Sequence, residues 1–311
     1  MKSAFMMLAL TISLAAQVKF DQKPDSVAVE INGKSFTTFY FGSGSPKPFL
    51  HPLTTAGGKR ITRVFPMENV PGETRDHPHH RGLWFTHGDV NGLDFWMNEK
   101  VTPNGKQGLI ANGKVLKAAG GKNKGVIQSA CDWQSPDGKT ILTEKRRMTF
   151  YAQNDERTID FDVTFTAVEK VKFGDTKEGF FAVRLRDELS ESKGTGTLVN
   201  AEGQQKMKQV WGARSPWVDY SGTLEGETVG IAILDHPGNP KHPTFWHARD
   251  YGLFAANPFG EHDFLRDKTK DGSVTVEPGQ SLRFRFRVII HPGDAKAANL
   301  NKHYDEYKIT K

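Results

Sequence analysis

Arg157-Thr158-Ile159-Asp160-Phe161-Asp162-Val163-Thr164-Phe165 alternates apolar and polar residues without a slip. Successive side chains on a strand point to opposite faces, so Ile159, Phe161, Val163 and Phe165 share a buried face while Asp160, Asp162 and Thr164 meet water. The pattern returns near the C-terminus, where Leu282, Phe284, Phe286, Val288 and Ile290 alternate with Arg283, Arg285 and Arg287. Half-buried strands of this kind belong to antiparallel sheets. Residues 27–31 and 36–41 flank Asn32-Gly33, the strongest short hairpin signal. A turn at Asn154-Asp155 joins 148–151 to the first stretch. Further strands are expected at 180–185, 228–234 and 273–276, and 117–124 reads as a loop or hairpin tip. Helical periodicity is confined to 295–308, with Asp294 as its N-cap. The chain therefore reads as all-β: a large antiparallel β-sandwich with long loops and a short C-terminal helix.

Composition narrows the function classes. The formal net charge is +6, but the basic residues are dispersed. Lys145-Arg146-Arg147 and the alternating arginines at 283–287 read as solvated strand faces, so nucleic acid is not an expected partner. Cys131 is the only cysteine, which excludes an intrachain disulfide, and a buried thiol is expected. Lys2, the apolar run 4–14 and the small residues Ser13-Leu14-Ala15 read as a signal peptide over 1–16. Residues 17–311 then form a single β-sandwich domain, exported to the periplasm or beyond. The N-terminal run is too short to span a bilayer comfortably and no other long apolar segment follows, so stable membrane insertion is not expected. Oligomeric state is open at this point.

The chemistry concentrates in two stretches. Arg75-Asp76-His77-Pro78-His79-His80-Arg81-Gly82-Leu83-Trp84-Phe85-Thr86-His87-Gly88 continues into Asp94-Phe95-Trp96, gathering four of the eleven histidines among aspartates and tryptophans. Imidazoles and carboxylates are costly to bury unpaired, so their clustering points to a site. If 81–88 is extended, Leu83, Phe85 and His87 share one face, and Arg81 falls on the face of His87. Arg81, His87, Asp94 and Trp96 are then expected to converge. The second stretch runs from Asp235-His236-Pro237 through Trp246-His247 to Asn257 and Glu261-His262, with polar side chains in proline-stiffened loops at strand ends. Arg184 and Arg186 add a thinner signal.

Three readings compete. In the first, imidazole and carboxylate exchange protons with a bound sugar while Trp96 and Trp246 stack on its ring. Arg81 and Arg184 would hold an anionic or keto group; His247 and Asn257 would complete the binding set. In the second, His77, His79 and His80 bind a metal ion, although no His-Glu-x-x-His helix is present. In the third, the histidines only satisfy buried polar groups. No cofactor is expected beyond that possible metal. A carbohydrate or glycoside is the expected ligand, handled by an epimerase, lyase or hydrolase type of reaction, with a noncatalytic carbohydrate-binding protein as the alternative.

The stretches Asp76-His77-Pro78-His79-His80-Arg81-Gly82-Leu83-Trp84, His87-Gly88, Val90-Asn91-Gly92, Asp94-Phe95-Trp96, Asp235-His236-Pro237 and Tyr251 to Gly260 resemble a bacterial family of unknown function, whose members are often labelled "methane oxygenase PmoA-like". The methane monooxygenase subunit of that name is an integral membrane protein; this chain has no spanning helix, and methane oxidation is rejected. The strands and the ending Pro278-Gly279-Gln280-Ser281-Leu282-Arg283-Phe284 also look similar to galactose mutarotase-like β-supersandwiches. That resemblance implies carbohydrate chemistry on a concave sheet face, with His80, His87 or His236 as acid and Asp94, Asp235 or Glu261 as base.

Overall fold

The structure, a computed structural model, describes residues 17–310. The signal-peptide reading of 1–16 lies outside the described residues. Two large antiparallel sheets face each other. The nine-stranded sheet runs, in spatial order, Phe245–Arg249, Leu253–Asn257, Gly179–Arg184, Leu83–His87, Phe49–His51, Lys34–Tyr40, Ser26–Ile31, Gln17–Gln22 and Gly121–Lys122. The eight-stranded sheet runs Thr197–Asn200, Trp217–Leu224, Glu227–Asp235, Ser281–Pro292, Arg157–Ala167, Thr140–Tyr151, Lys124–Gln134 and Leu109–Ala119. Val171–Phe173 and Val274–Val276 pair as a separate two-stranded ribbon. No helix among the described residues is long and apolar enough to cross a membrane.

The alternation at 157–165 sets the centre of this sandwich. Ile159 lies opposite Val288, Phe161 opposite Phe286, Val163 opposite Phe284 and Phe165 opposite Leu282. Those side chains meet Phe85, Phe180 and Phe181 of the other sheet in one hydrophobic cluster. On the far face of the same two strands, Arg283 grips Asp162 and Arg287 grips Asp160 through paired hydrogen bonds of 2.6–2.8 Å. Cross-strand pairing of opposite charges adds to the register that the apolar face imposes. Asn32-Gly33 forms the expected hairpin turn, with φ of 53° and 76°.

Two expectations change. Lys145 and Arg147 are exposed, but Arg146 between them turns inward, as strand alternation requires. Its guanidinium lies 5.0 Å from the Phe85 ring and its Nε donates to Glu144 at 2.8 Å. Trp133 Nε1 donates to the other Glu144 oxygen at 3.1 Å. The C-terminal helix is shorter than 295–308 and spans Leu300–Tyr307. Asp294 does cap the backbone N–H of Ala297 at 2.8 Å, but Asn299 then takes a left-handed φ of 52° and interrupts the helical path. Asparagine tolerates that conformation better than most residues.

Gly82 redirects the strand that follows it. Its φ is +55°, and a Cβ there would come within 2.1 Å of the Leu50 carbonyl oxygen. The left-handed turn breaks the alternation, so Arg81 leaves the face of His87 and joins that of Trp84. Gly82→Ala is expected to cost more than about 2 kcal/mol, strain and overlap together, whereas Gly33→Ala, at a similar φ in open space, costs about 1 kcal/mol. Urea denaturation of the two variants checks this; equal losses would contradict it.

Candidate functional site

The outer face of the nine-stranded sheet carries one in-register row. Tyr40, Phe49, Trp84, Ala182, Ala255 and His247 lie side by side on six successive strands. At about 4.8 Å per strand the row is roughly 24 Å long. Rings occupy its ends and two alanines its middle, which leaves a trough. The long connections before and after the Leu83–His87 strand fold into it. Trp96 packs 5.5 Å from Trp84 and 6.2 Å from His247. His80 stacks on Trp84 at 5.3 Å, and His77 lies nearly parallel to His80 at 4.8 Å and to Tyr251 at 5.2 Å. His79 meets His80 edge-on at 4.4 Å.

Asp76 organises the polar half of the trough. Its Oδ1 accepts from Arg63 Nη1 and, at 2.8 Å, from Arg184 Nη2. Its Oδ2 lies 3.1 Å from His77 Nδ1. Both arginine side chains are fully buried, whereas Asp76 and His77 keep 35% and 40% of their side-chain exposure, so this pair opens to solvent. Arg63 Nη2 also donates to the His77 carbonyl at 3.0 Å, and the Arg184 guanidinium sits 4.5 Å from the Tyr251 ring. Burial alone would raise the Asp76 carboxyl, but Arg184, His77 and Arg63 together hold it below the ordinary carboxylate range. Burial lowers both guanidinium groups, with Asp76 opposing. Two buried cations on one carboxylate oxygen fix that carboxylate, and the other oxygen presents a fixed acceptor to the imidazole. With Nδ1 turned to Asp76, Nε2 is the ring atom left for a ligand.

A second network braces Trp96. Asp94 Oδ1 accepts the backbone N–H groups of Trp96 and Met97, both at 2.8 Å. Burial pushes the Asp94 carboxyl up, and those two bonds oppose it. Lys47, buried beneath, donates to Asn98 Oδ1 at 2.8 Å and to the Trp96 carbonyl at 3.4 Å. Burial brings its ammonium down to about 7, with Glu99 acting in the opposite sense. Glu99 in turn binds Arg81 through Nε at 3.0 Å and Nη2 at 2.5 Å. At the far edge Glu178, one-third exposed, approaches His247 Nδ1 at 4.0 Å.

The family model described as "Family of unknown function (DUF6807)" matches residues 26–305. The chain belongs to this family. No curated protein matches it. Among solved structures, the DUF6807 chain is similar to a galactose 1-epimerase from Lactobacillus acidophilus, with 9% identity, a TM-score of 0.43 and coverage of 90% of this chain and 100% of that one. It is similar to a galactose mutarotase-like protein from Lactobacillus casei, with 10% identity, a TM-score of 0.40 and coverage of 88% and 100%. A GH36 alpha-galactosidase from Geobacillus stearothermophilus matches at 11% identity and a TM-score of 0.43, over 89% of this chain and 41% of that one. Membership establishes the family and not an activity, and the methane-oxygenase label stays a resemblance.

Of the residues singled out in the sequence, this DUF6807 site unites His77, His79, His80, Arg81, Asp94, Trp96, Arg184 and His247. Others lie elsewhere. His87 points into the sandwich among Phe173, Phe180 and Phe259, and its Nε2 lies 2.8 Å from the Gly174 carbonyl. Trp246 faces the same core, its Nε1 donating to the Ser215 carbonyl at 2.9 Å, because it is out of phase with His247 on its strand. Asp235 accepts from Asn239, His242 and Thr244 and so ties down the loop after its strand, while His236 Nε2 lies 3.1 Å from the Thr310 carbonyl and anchors the C-terminal segment. Asn257 spends its amide on Thr176 and Phe259. Glu261 opens the short helix Glu261–Leu265, at the opposite end of the Leu253–Asn257 strand from Tyr251. Arg184 is sealed and committed to Asp76, so it does not face a ligand. Among the described residues no group of three or more His, Cys, Asp or Glu side chains is placed to hold a metal ion; His77, His79 and His80 pack ring against ring. The sequence reading passed over Arg63, Asp76, Glu178 and Tyr251 as site residues. Asp76 and Tyr251 stand within motifs it quoted, whereas Arg63 carries no local signal.

Burial holds six imidazoles low: His51 and His79 to about 3, His87 and His247 to about 4, His80 well below its usual range and His236 below it. A folded pKa beneath the unfolded value of about 6.5 means that the unfolded chain binds more protons between the two. Stability is therefore full above pH 6.5 and falls as the pH drops toward 4, each imidazole adding at most about 1.4 kcal/mol per pH unit. Denaturant midpoints measured from pH 7 to 4.5 check this; a flat profile would contradict it.

Proposed function

We propose that this protein is an exported carbohydrate-processing enzyme that exchanges protons with a sugar held in the outer-sheet trough. The carrying observation is the half-exposed His77, oriented by Asp76 and stacked beside the partly exposed Tyr251 ring. Aromatic faces suit the apolar face of a sugar ring, and fixed carboxylates suit its hydroxyls. An imidazole whose Nδ1 is tied to a carboxylate is a serviceable general base at Nε2, and as imidazolium a general acid. Asp94, its carboxyl raised by burial, and Glu178 are the partner carboxylates within the same trough. Epimerisation, elimination and glycoside hydrolysis all need such a pair. Export rests on the apolar run at 4–14, and a single domain over 17–311 on the shared core of the two sheets.

The competing reading is a noncatalytic carbohydrate-binding protein. The observation that favours it is the sealing of His80 and His247, which leaves one open imidazole. Turnover separates the two. With a panel of hexoses and aryl glycosides followed by NMR, the wild type is expected to convert at least one compound. His77→Gln should lower that rate by about 100-fold or more at unchanged thermal stability, the scale of a lost acid–base group. His236→Gln, in the C-terminal anchor, should leave the rate unchanged. Binding without conversion would favour the module, and full activity in His77→Gln would end the acid–base assignment.

A further inference from the structure

The row that ends at His247 begins at Tyr40, and that end borders a cleft of its own. About 370 Å³ in volume, it is lined by Asp25, Tyr40, Phe49, Met67, Glu68 and Arg81, among others. The Tyr40 ring stacks on Phe49 at 5.0 Å and 19°. Phe49 is buried and Tyr40 keeps 36% of its surface, so a held aromatic face is presented at the cleft. Arg81 gives Nε and Nη2 to Glu99, which leaves Nη1 as its uncommitted donor. Asp25 and Glu68 are exposed carboxylates on the rim. Buried His51 adds no charge, because burial and Arg60 bring its imidazole down to about 3.

This lining disfavours an anion and suits a neutral polyol. The Arg81 charge is spent on Glu99, and two further carboxylates would repel an anion. An aromatic face flanked by carboxylate acceptors and one guanidinium donor matches a pyranose ring with its hydroxyls. The cleft also adjoins the His77 trough. Arg81 follows His80 in the chain, and Phe49 pairs in register with Trp84, on which His80 stacks. Met67 and Tyr251 both pack against the same Phe49–Trp84–Trp96 cluster.

We infer that the cleft at Tyr40, Phe49, Glu68 and Arg81 is a second sugar subsite, so that the trough takes a neutral oligosaccharide whose reacting unit lies at His77 and whose next unit rests on Tyr40. This inference rests on the carbohydrate reading above. Its test compares neutral hexose monosaccharides with the corresponding di- and trisaccharides by calorimetry, on wild type, Tyr40→Ala and Glu68→Ala. Wild type is expected to bind the longer sugars at least tenfold more tightly. Tyr40→Ala should reduce that gain to within about threefold and Glu68→Ala should diminish it, both with monosaccharide affinity unchanged. Affinity that does not depend on chain length, or a length gain that both variants retain, overturns the subsite while leaving the His77 trough standing. Failure of wild type to bind any of these sugars overturns the carbohydrate reading and the subsite with it.

Discussion

Two buried guanidinium groups share one carboxylate oxygen, and the site depends on that sharing. Arg63 comes from the connection leading into the site, Arg184 from the end of a central strand, and Asp76 from the loop that covers both. A buried arginine without its partner is expensive, so none of the three is free to move alone. The loop is thereby held against the sheet by charge as well as by the packing of its imidazoles on Trp84, Trp96 and Tyr251. What it presents to solvent is the remaining Asp76 oxygen and the His77 ring beside it. Removing Asp76 would leave two buried cations facing each other without their shared carboxylate.

The sheet supplies the rest of the arrangement. Alternation sends Phe85 and Leu83 into the sandwich and Trp84 outward, and the pairing of six strands sets Trp84 in line with Phe49, Ala182, Ala255 and His247. The two alanines are small enough for Trp96 and the histidine loop to settle over them. Deep imidazoles then lose access to water and are held neutral, serving as flat packing surfaces and hydrogen-bonding groups. The polar groups that stay open to solvent are those at the opening, His77 and Asp76. This division explains how one short stretch of sequence can hold four histidines and yet present one that is open.

The strands were legible because their period is two over long runs, as at 157–165 and 281–290, and because Asn32-Gly33 marks a tight turn. The histidine-rich stretch was legible as a site because no packing rule produces it. Individual roles were harder to read. Gly82 takes a left-handed conformation that shifts Arg81 to the other face, and a glycine in a sequence does not announce its φ. His87 and Trp246 look functional by their neighbours but fall on the core side of their strands. Asp235 and His236 sit at a strand end, as functional residues do, yet the C-terminal helix closes over them. Arg63 lies 13 residues from Asp76 in a loop without periodicity, so its pairing exists only in three dimensions.

Imidazole resonances report the location of the site most directly. Titrating ¹⁵N-histidine-labelled protein with a sugar that it binds should shift the His77 signals first, with smaller movement at His79 and His80 and none at His87 or His236. Shifts centred on His236 or His242, or saturation binding with the His77 ring undisturbed, would contradict a site built on Asp76 and its two arginines.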